Sequence, residues 1–108
     1  MLDLALVVLP NTHLRNPLMY FSLGVLSLAA VVREAGYTVQ IADLRDKRAS
    51  TRHIPPARFT GFSATTGEIE DAKLLASKLK DTITLVGGPH ATLLPSDCAK
   101  FDKVICGE

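Results

Sequence analysis

The sequence predicts an α/β protein with a doubly wound parallel sheet. Five short apolar runs alternate with helical or polar segments along the chain, which is the pattern of strands joined by crossover connections. Two of these runs end in loops that are rich in glycine and hydroxyl side chains. Because ligands of open parallel sheets bind at the carboxyl ends of the strands, these loops indicate where a site should lie.

The length and charge of the chain limit its class. A length of 108 residues predicts one domain, and 47% hydrophobic residues are enough for an ordinary core. Twelve basic and eleven acidic side chains nearly cancel, so neither nucleic acid nor a membrane surface is expected as a partner. No signal peptide or spanning segment is recognisable, which predicts a cytoplasmic protein.

The first strand and the first helix are the most apolar elements. The run 2–9 predicts a strand buried on both faces. Ser22 can cap a helix that extends to Glu34 or Ala35, and Gly36 lies where the chain leaves it. Apolar residues cover nearly the whole circumference of this helix. It is therefore expected to pack on the sheet and also against a neighbouring helix, a partner chain or an apolar ligand.

Two strands followed by a helix are predicted for the middle of the chain. An edge strand is expected over 37–42, and after a polar connection a third strand is expected over 58–63. Thr65 and Glu68 have the spacing of a capping box, which predicts a helix over 68–80. One apolar stripe on this helix predicts a single buried face. The stripe comprises Ile69, Ala72, Leu75, Ala76 and Leu79.

The last elements complete a five-stranded sheet. A fourth strand over 82–86, a short helix over 94–99 and a fifth strand over 103–106 are expected. Right-handed crossovers then give a flavodoxin-like, Rossmann-type parallel sheet with the order 2-1-3-4-5. The final helix of that fold is missing from 1–108. This predicts a single domain truncated at its C-terminal end, with either a dimer or a C-terminal continuation covering the open flank.

The candidate site combines the loops that follow the third and fourth strands. Ser63, Thr65 and Thr66 place hydroxyls beside the bare backbone of Gly87 and Gly88, which suits a bulky ligand with amide and ring-nitrogen acceptors. The glycine pair alone is also consistent with a simple tight turn. Phosphate is less well suited because neither loop contains lysine or arginine. The chain has neither GxGxxG nor GxxxxGK[ST], which disfavours a dinucleotide or P-loop site.

Two histidines lie near the same edge of the predicted sheet. His90 follows Pro89 and can be a ligand contact, a general base or a hydrogen-bonded loop residue. His13 follows the first strand and can either reach a metal carried by the ligand or be merely exposed. No set of nucleophile, base and orienting residue is recognisable, so the chain alone is not expected to be catalytic.

At these residues the sequence resembles the cobalamin-binding domain that precedes the catalytic domain in cobalamin-dependent radical S-adenosylmethionine enzymes. The Gly-Gly-Pro-His-Ala-Thr element and the terminal Gly-Glu element are fairly specific to that family. The matching segments span most of the chain in the right order. They are 22–37, 61–66 with 69–72, 86–92 with 94–95, and 101–108.

The resemblance implies cobalamin (vitamin B12) as cofactor. The corrin ring would lie over the carboxyl ends of the strands, and the nucleotide tail would enter the sheet beside Ser63, Gly87 and Gly88, with Ser63 against the benzimidazole. The cofactor-binding residues implied in this way are Asn11, Thr12, His13, Ser63, Ala64, Thr65, Thr66, Gly87, Gly88, Pro89, His90 and Gly107.

The sequence departs from related families at two points. Methyltransferase and mutase domains carry Asp-x-His-x-x-Gly after the first strand, whereas 11–16 keeps only the histidine. His13 is thus a candidate lower ligand of cobalt without the aspartate that orients such an imidazole. The radical-enzyme branch usually has no such ligand. The chain also lacks the CxxxCxxC motif that holds the iron–sulfur cluster of those enzymes.

The resemblance and the departures together predict a cobalamin-binding module. It would be a stand-alone carrier or the N-terminal domain of a radical S-adenosylmethionine methyltransferase-type enzyme, and its partners a homo-oligomer or a catalytic domain. The alternative is a flavodoxin-like interaction or regulatory domain that has lost the cofactor. The apolar first helix and the missing last helix favour that alternative, because both leave a surface for a protein partner.

Overall fold

The computed structural model describes residues 2–9, 23–44, 51–64, 68–88 and 92–105. The strands within these ranges are β1 (Leu2–Val8), β2 (Val39–Asp43), β3 (Ala57–Ser63), β4 (Ile83–Gly87) and β5 (Lys103–Val104). The α-helices are α1 (Leu23–Glu34) and α2 (Ile69–Lys78), and short 3₁₀ helices lie at Thr51–His53 and Pro95–Cys98. The predicted succession of elements is confirmed, with bounds that differ by a few residues.

The five strands form one parallel sheet in the predicted order. The order is β2-β1-β3-β4-β5, and each neighbouring pair is parallel. The strand order reverses between β1 and β3, which lie side by side although α1 and β2 separate them in the sequence. This arrangement is the doubly wound, flavodoxin-like sheet expected from the sequence, and its carboxyl edge is where such folds bind ligands.

Helix α1 covers one face of the sheet and leaves several of its own apolar side chains exposed. Val25 and Ala29 are buried in a small core with β1 and β2. Gly36 ends the helix region with φ of 95°, a conformation that favours glycine. On the outer face Leu26, Leu28 and Val31 are 44%, 47% and 63% exposed. The expected second layer over this helix is thus not supplied by the described part of the chain.

Helix α2 covers the opposite face and forms the larger core. Ile69, Ala72, Leu75 and Ala76 are buried and Leu79 is half-buried, which confirms the predicted stripe. Leu75 has no exposed surface, and burial of such a side chain contributes about 2 kcal/mol. The helix ends at Lys78, two positions before the predicted end, because the backbone of the next residue is extended.

Helix α2 begins directly after Glu68, whose backbone angles are already helical. The carbonyl of Glu68 accepts a hydrogen bond from the N–H of Ala72 at 3.1 Å. The side chain of Glu68 is buried, with 6% of the residue's surface exposed. The predicted capping box stays a prediction, because it also needs Thr65. Thr65, the other member of the predicted box, lies outside the described residues.

Two reciprocal hydrogen-bond pairs, here called the Asp–Thr clamps, attach the edge strands at the amino end of the sheet. The N–H of Asp3 donates to Thr38 Oγ1 at 2.9 Å, and the N–H of Thr38 donates to Asp3 Oδ2 at 2.9 Å. In the same way the N–H of Asp102 donates to Thr84 Oγ1 at 3.0 Å, and the N–H of Thr84 donates to Asp102 Oδ2 at 2.8 Å. Hydrogen bonds to a carboxylate are about twice as strong as neutral ones, so each clamp fixes a strand pair.

None of the helices in the described ranges is long and apolar enough to cross a membrane.

Candidate functional site

The candidate site begins where β3 and β4 end side by side. Ser63 pairs with Gly87 in the parallel ladder, and the N–H of Ala64 donates to the carbonyl of Gly87 at 3.2 Å. This bond extends the pairing by one residue beyond the last strand position. The two loops that the sequence singled out therefore start from a common, hydrogen-bonded edge.

Gly88 lies so close to the end of β3 that a Cβ there would make unusually tight contacts. Its φ is 100°, in the left-handed region that favours glycine. A Cβ at Gly88 would lie 3.1 Å from the carbonyl oxygen of Ala64, 3.2 Å from its nitrogen and 3.2 Å from Ser63 Oγ. Two of these three neighbours are backbone atoms, which cannot rotate away. The glycine is thus required by both its conformation and its packing.

Three residues form a surface almost without side chains on the α1 side of the sheet. Phe62, Ala64 and Val86 belong to the larger core, and side chains alternate along strands, so the residues next to them face α1. We call these residues, Gly61, Ser63 and Gly87, the bare strip. Its one side chain is the half-buried hydroxyl of Ser63.

Aliphatic side chains lie on either side of the bare strip. A Cβ at Gly61 would lie 3.1 Å from Leu6 Cδ2, so this end of the strip is buried against the small core under α1. A Cβ at Gly87 would lie 3.7 Å from Cβ of Ile105, whose side chain is 51% exposed. Ser63 and Gly87 are half-buried, so the strip is accessible at its carboxyl end.

The described atoms at this edge are neutral. Thr92 holds the carbonyl of Gly88 with its N–H at 3.1 Å and with its hydroxyl at 3.0 Å. Asp3 and Lys73 have a shifted pKa, and both lie elsewhere. Hydrogen bonds from Thr38 lower the pKa of Asp3 at the amino end of the sheet. Asp97, which accepts a hydrogen bond from Lys73 at 2.9 Å, raises the pKa of that lysine on α2. Small hydroxyls and peptide groups suit a neutral ligand better than a phosphate or a metal ion.

The structure brings part of the predicted site together. Ser63, Ala64, Gly87 and Gly88 lie in mutual contact, and their role in ligand binding stays a prediction. Among the described residues no group of three or more histidine, cysteine, aspartate or glutamate side chains could hold a metal ion. The other predicted residues lie outside the described ranges: Asn11, Thr12, His13, Thr65, Thr66, Pro89, His90 and Gly107.

Gly61 and Ile105 are two contributors that the sequence analysis did not assign to the site. Gly61 could have been found by counting two positions back along β3 from Ser63, because alternate residues of a strand share a face. Ile105 carries no such local signal. It reaches the strip because β5 pairs with β4, and its N–H donates to the carbonyl of Val86 at 2.8 Å.

Comparison with known proteins identifies one family. The model of the B12 binding domain matches residues 17–108, which is most of the chain and includes both loops of the candidate site. No curated protein and no solved structure matches the chain.

Proposed function

The chain belongs to the family of B12-binding domains, whose cofactor is cobalamin, and we propose that it carries cobalamin for a radical S-adenosylmethionine methyltransferase-type enzyme. In this proposal 1–108 is one cobalamin-binding domain, either the N-terminal module of that enzyme or a separate carrier chain. The single observation that supports it most directly is the bare strip at the carboxyl edge of the sheet.

The residues of the bare strip fit the nucleotide tail of cobalamin. The benzimidazole at the end of the tail is flat and largely apolar, and the half-buried Ser63 and Gly87 beside Ile105 present backbone and aliphatic carbon. A side chain at Gly88 would contact Ala64 and Ser63 closely, so this edge depends on glycine there. The hydroxyl of Ser63 is the one polar side-chain group of the strip, and it can bond to an acceptor on the tail.

The chain's own residues position and shield the cofactor. Cobalamin, when bound, supplies a cobalt centre suited to methyl transfer. Ser63 and Gly87 would fix the tail, and the ring would then lie over the carboxyl ends of the strands. The exposed side chain of Ile105 would help to exclude water from the buried part of the ligand. Thr92 holds the carbonyl of Gly88 and so keeps this turn in place before any ligand arrives.

The outer face of α1 supports the second part of the proposal, a protein partner. Leu26, Leu28 and Val31 are exposed on a helix whose other face packs on the sheet. Large exposed apolar side chains on one helix are a feature of interaction surfaces. A catalytic domain or a second copy of the chain would cover them. The same observation favours the alternative of an interaction domain that has lost its cofactor.

A retention experiment tests the proposal. The protein is incubated with hydroxocobalamin, desalted and measured by visible spectroscopy, together with the Ser63→Trp and Ser77→Trp variants. We expect the wild type and Ser77→Trp to retain a stoichiometric amount, since Ser77 is exposed on α2 across the sheet from the strip. Ser63→Trp should retain little, because an indole would cover the accessible part of the strip beside Gly87 and Gly88.

Each other outcome contradicts a defined part of the proposal. A folded wild-type protein that stays colourless would contradict cofactor binding and favour the interaction domain. Retention by Ser63→Trp would place the tail elsewhere. The band positions also report on cobalt ligation: if His13 is the lower ligand, His13→Ala shifts them, and an unchanged spectrum would exclude that role.

A further inference from the structure

A second cleft lies at the amino end of the sheet, opposite the bare strip. Its volume is about 390 Å³, which is in the range of small-molecule sites in proteins. Three parts of the chain line it: the segment 51–57, the buried Thr60 of β3, and the segment 78–82 that connects α2 to β4. This cleft plays no part in the proposed binding of cobalamin.

The walls of the cleft are held in defined conformations. Pro55 and Pro56 fix their own φ angles on one side. On the other side Asp81 has φ of 60°, the only positive φ of a non-glycine residue in the described ranges. Aspartate tolerates this conformation better than most residues, yet such backbone persists only where its surroundings require it. The cleft is thus shaped by rigid turns.

The lining combines an apolar floor with hydrogen-bond donors. Ile54 and Ala57 are buried beneath it. Thr60 Oγ1 and Thr82 Oγ1 lie 2.9 Å apart, and either atom can be the donor. A pair of hydroxyls uses only one of its two hydrogens for the bond between them. The remaining hydrogen can be donated to a third group.

The charged side chains of the cleft have an excess of positive charge. Lys78 and Lys80 are both exposed and both line it, and Asp81 is the acidic residue among the lining side chains. Ammonium groups are donors without acceptor capacity, and the threonine pair adds a further donor. Donors and cations above an apolar floor suit a ligand with an anionic head and an apolar body.

We propose that this cleft binds a small organic anion, a carboxylate or a phosphate monoester with an apolar body. The anionic head lies near Lys80 and the Thr60–Thr82 pair, and the body packs against Ile54 and Pro55. Because cobalamin is expected at the carboxyl end of the sheet, both ligands can be bound at the same time. The proposal does not rest on the cobalamin function.

Titration of the cobalamin-free protein followed by amide chemical shifts tests this site. The probes are phenyl phosphate, benzoate, inorganic phosphate and benzyl alcohol. We expect saturable shifts at the amides of Ala57, Lys80 and Thr82 with phenyl phosphate or benzoate, and weaker binding of the other two probes. The aromatic anion that binds more tightly identifies the type of head group.

Two variants separate a defined site from general charge attraction. Lys80→Gln should weaken binding about three- to fivefold, as expected for one partly exposed ion pair. Thr82→Val should also weaken it without changing the shape of the side chain. Lys100→Gln removes an exposed lysine that does not line the cleft and should leave binding unchanged.

Three results would overturn the proposal. These are shifts that do not saturate, inorganic phosphate binding as tightly as phenyl phosphate, and equal effects of Lys80→Gln and Lys100→Gln. If Thr82→Val does not fold, the comparison of the two exposed lysines still decides the question.

Discussion

The two ends of the parallel sheet are built from different kinds of residue. At the amino end, side chains join neighbouring strands: the two Asp–Thr clamps fix β2 and β5, and the hydroxyls of Thr60 and Thr82 bond between β3 and β4. At the carboxyl end, β3 and β4 meet through a serine and two glycines with almost no side chain between them. Side chains thus join neighbouring strands at the amino end of the sheet, whereas the backbone of β3 and β4 is left accessible to a ligand at the carboxyl end.

This division has a physical reason. A surface that binds a large ligand needs accessible backbone, which glycines provide. Glycine has no side chain to pack, and it leaves the unfolded chain more conformational freedom, so both effects lower stability. Hydrogen bonds to a carboxylate are stronger than those between neutral groups. The clamps can therefore hold the edge strands without using the carboxyl end. Substitutions at the two ends should then have different consequences.

The largest effect is expected for Gly88→Ala. The new Cβ would lie within 3.2 Å of both the nitrogen and the carbonyl oxygen of Ala64, at a φ that alanine rarely adopts. We expect a loss of about 3 kcal/mol in the free energy of unfolding, measured in urea, from strain and contact together. Cobalamin retention should also fall, because the turn beside Ser63 must move.

Gly36→Ala is the matched control for that substitution. Gly36 has a similar φ of 95°, but a Cβ there would meet nothing within 4 Å. Only the conformational strain remains, so we expect a loss of about 1 kcal/mol and unchanged cobalamin retention. Equal losses for the two variants would show that the close contacts of Gly88 add nothing to the loss in free energy of unfolding. That result would contradict the difference drawn between the two ends of the sheet.

A smaller effect, confined to stability, is expected at the amino end. Asp102→Ala removes the acceptor of two hydrogen bonds from Thr84, at 2.8 Å and 3.2 Å. We expect a loss of about 1–2 kcal/mol in the free energy of unfolding. Asp102→Asn keeps one oxygen acceptor and should lose less. Both proteins should retain cobalamin like the wild type, and reduced retention by either would contradict the separation of the two ends.

The smallest effect is expected in the pH dependence of the stability that the Asp3–Thr38 clamp contributes. The N–H of Thr38, and then its hydroxyl, hold the pKa of the Asp3 carboxyl below its usual value, with a further contribution from Arg58. A lowered pKa in the folded state stabilises the protein at pH values above the ordinary aspartate pKa, and this contribution is lost as the pH falls through the lowered value. Wild type should therefore exceed Asp3→Asn in stability near neutral pH.

Urea unfolding at a series of pH values measures that difference. The gap between wild type and Asp3→Asn should narrow as the pH falls below about 4, where the carboxylate becomes protonated. Glu34→Gln, at the exposed end of α1, serves as the control for simple removal of charge. A gap that stays constant with pH would show that the charge of Asp3 is irrelevant to the clamp.

Much of the fold was predictable from periodicity. The stripe of α2 and the strand order follow from patterns of two and 3.6 residues and from the handedness of crossovers, and all were confirmed. Gly88 was predictable as a turn residue because few residues other than glycine tolerate a positive φ, whereas Gly87 is the last residue of β4. The predicted capping box at the start of α2 stays a prediction, because Thr65 lies outside the described residues.

The amino end could not be predicted in the same way. Asp3 and Thr38 are 35 residues apart, and Thr84 and Asp102 are 18 apart, so no local pattern links them. They meet only because the sheet brings strand starts together. The exposed face of α1 is an intermediate case. Its composition predicted a need for a second layer, but composition does not identify what supplies that layer.

Amide hydrogen exchange with and without hydroxocobalamin tests the central claim most directly. If cobalamin binds at the carboxyl end of the sheet, exchange should slow at Ala64 and Ile105, whose N–H groups bond at that edge, and stay unchanged at Thr38 and Thr84 in the clamps. Equal slowing at both ends, or slowing at the clamps alone, would contradict the account.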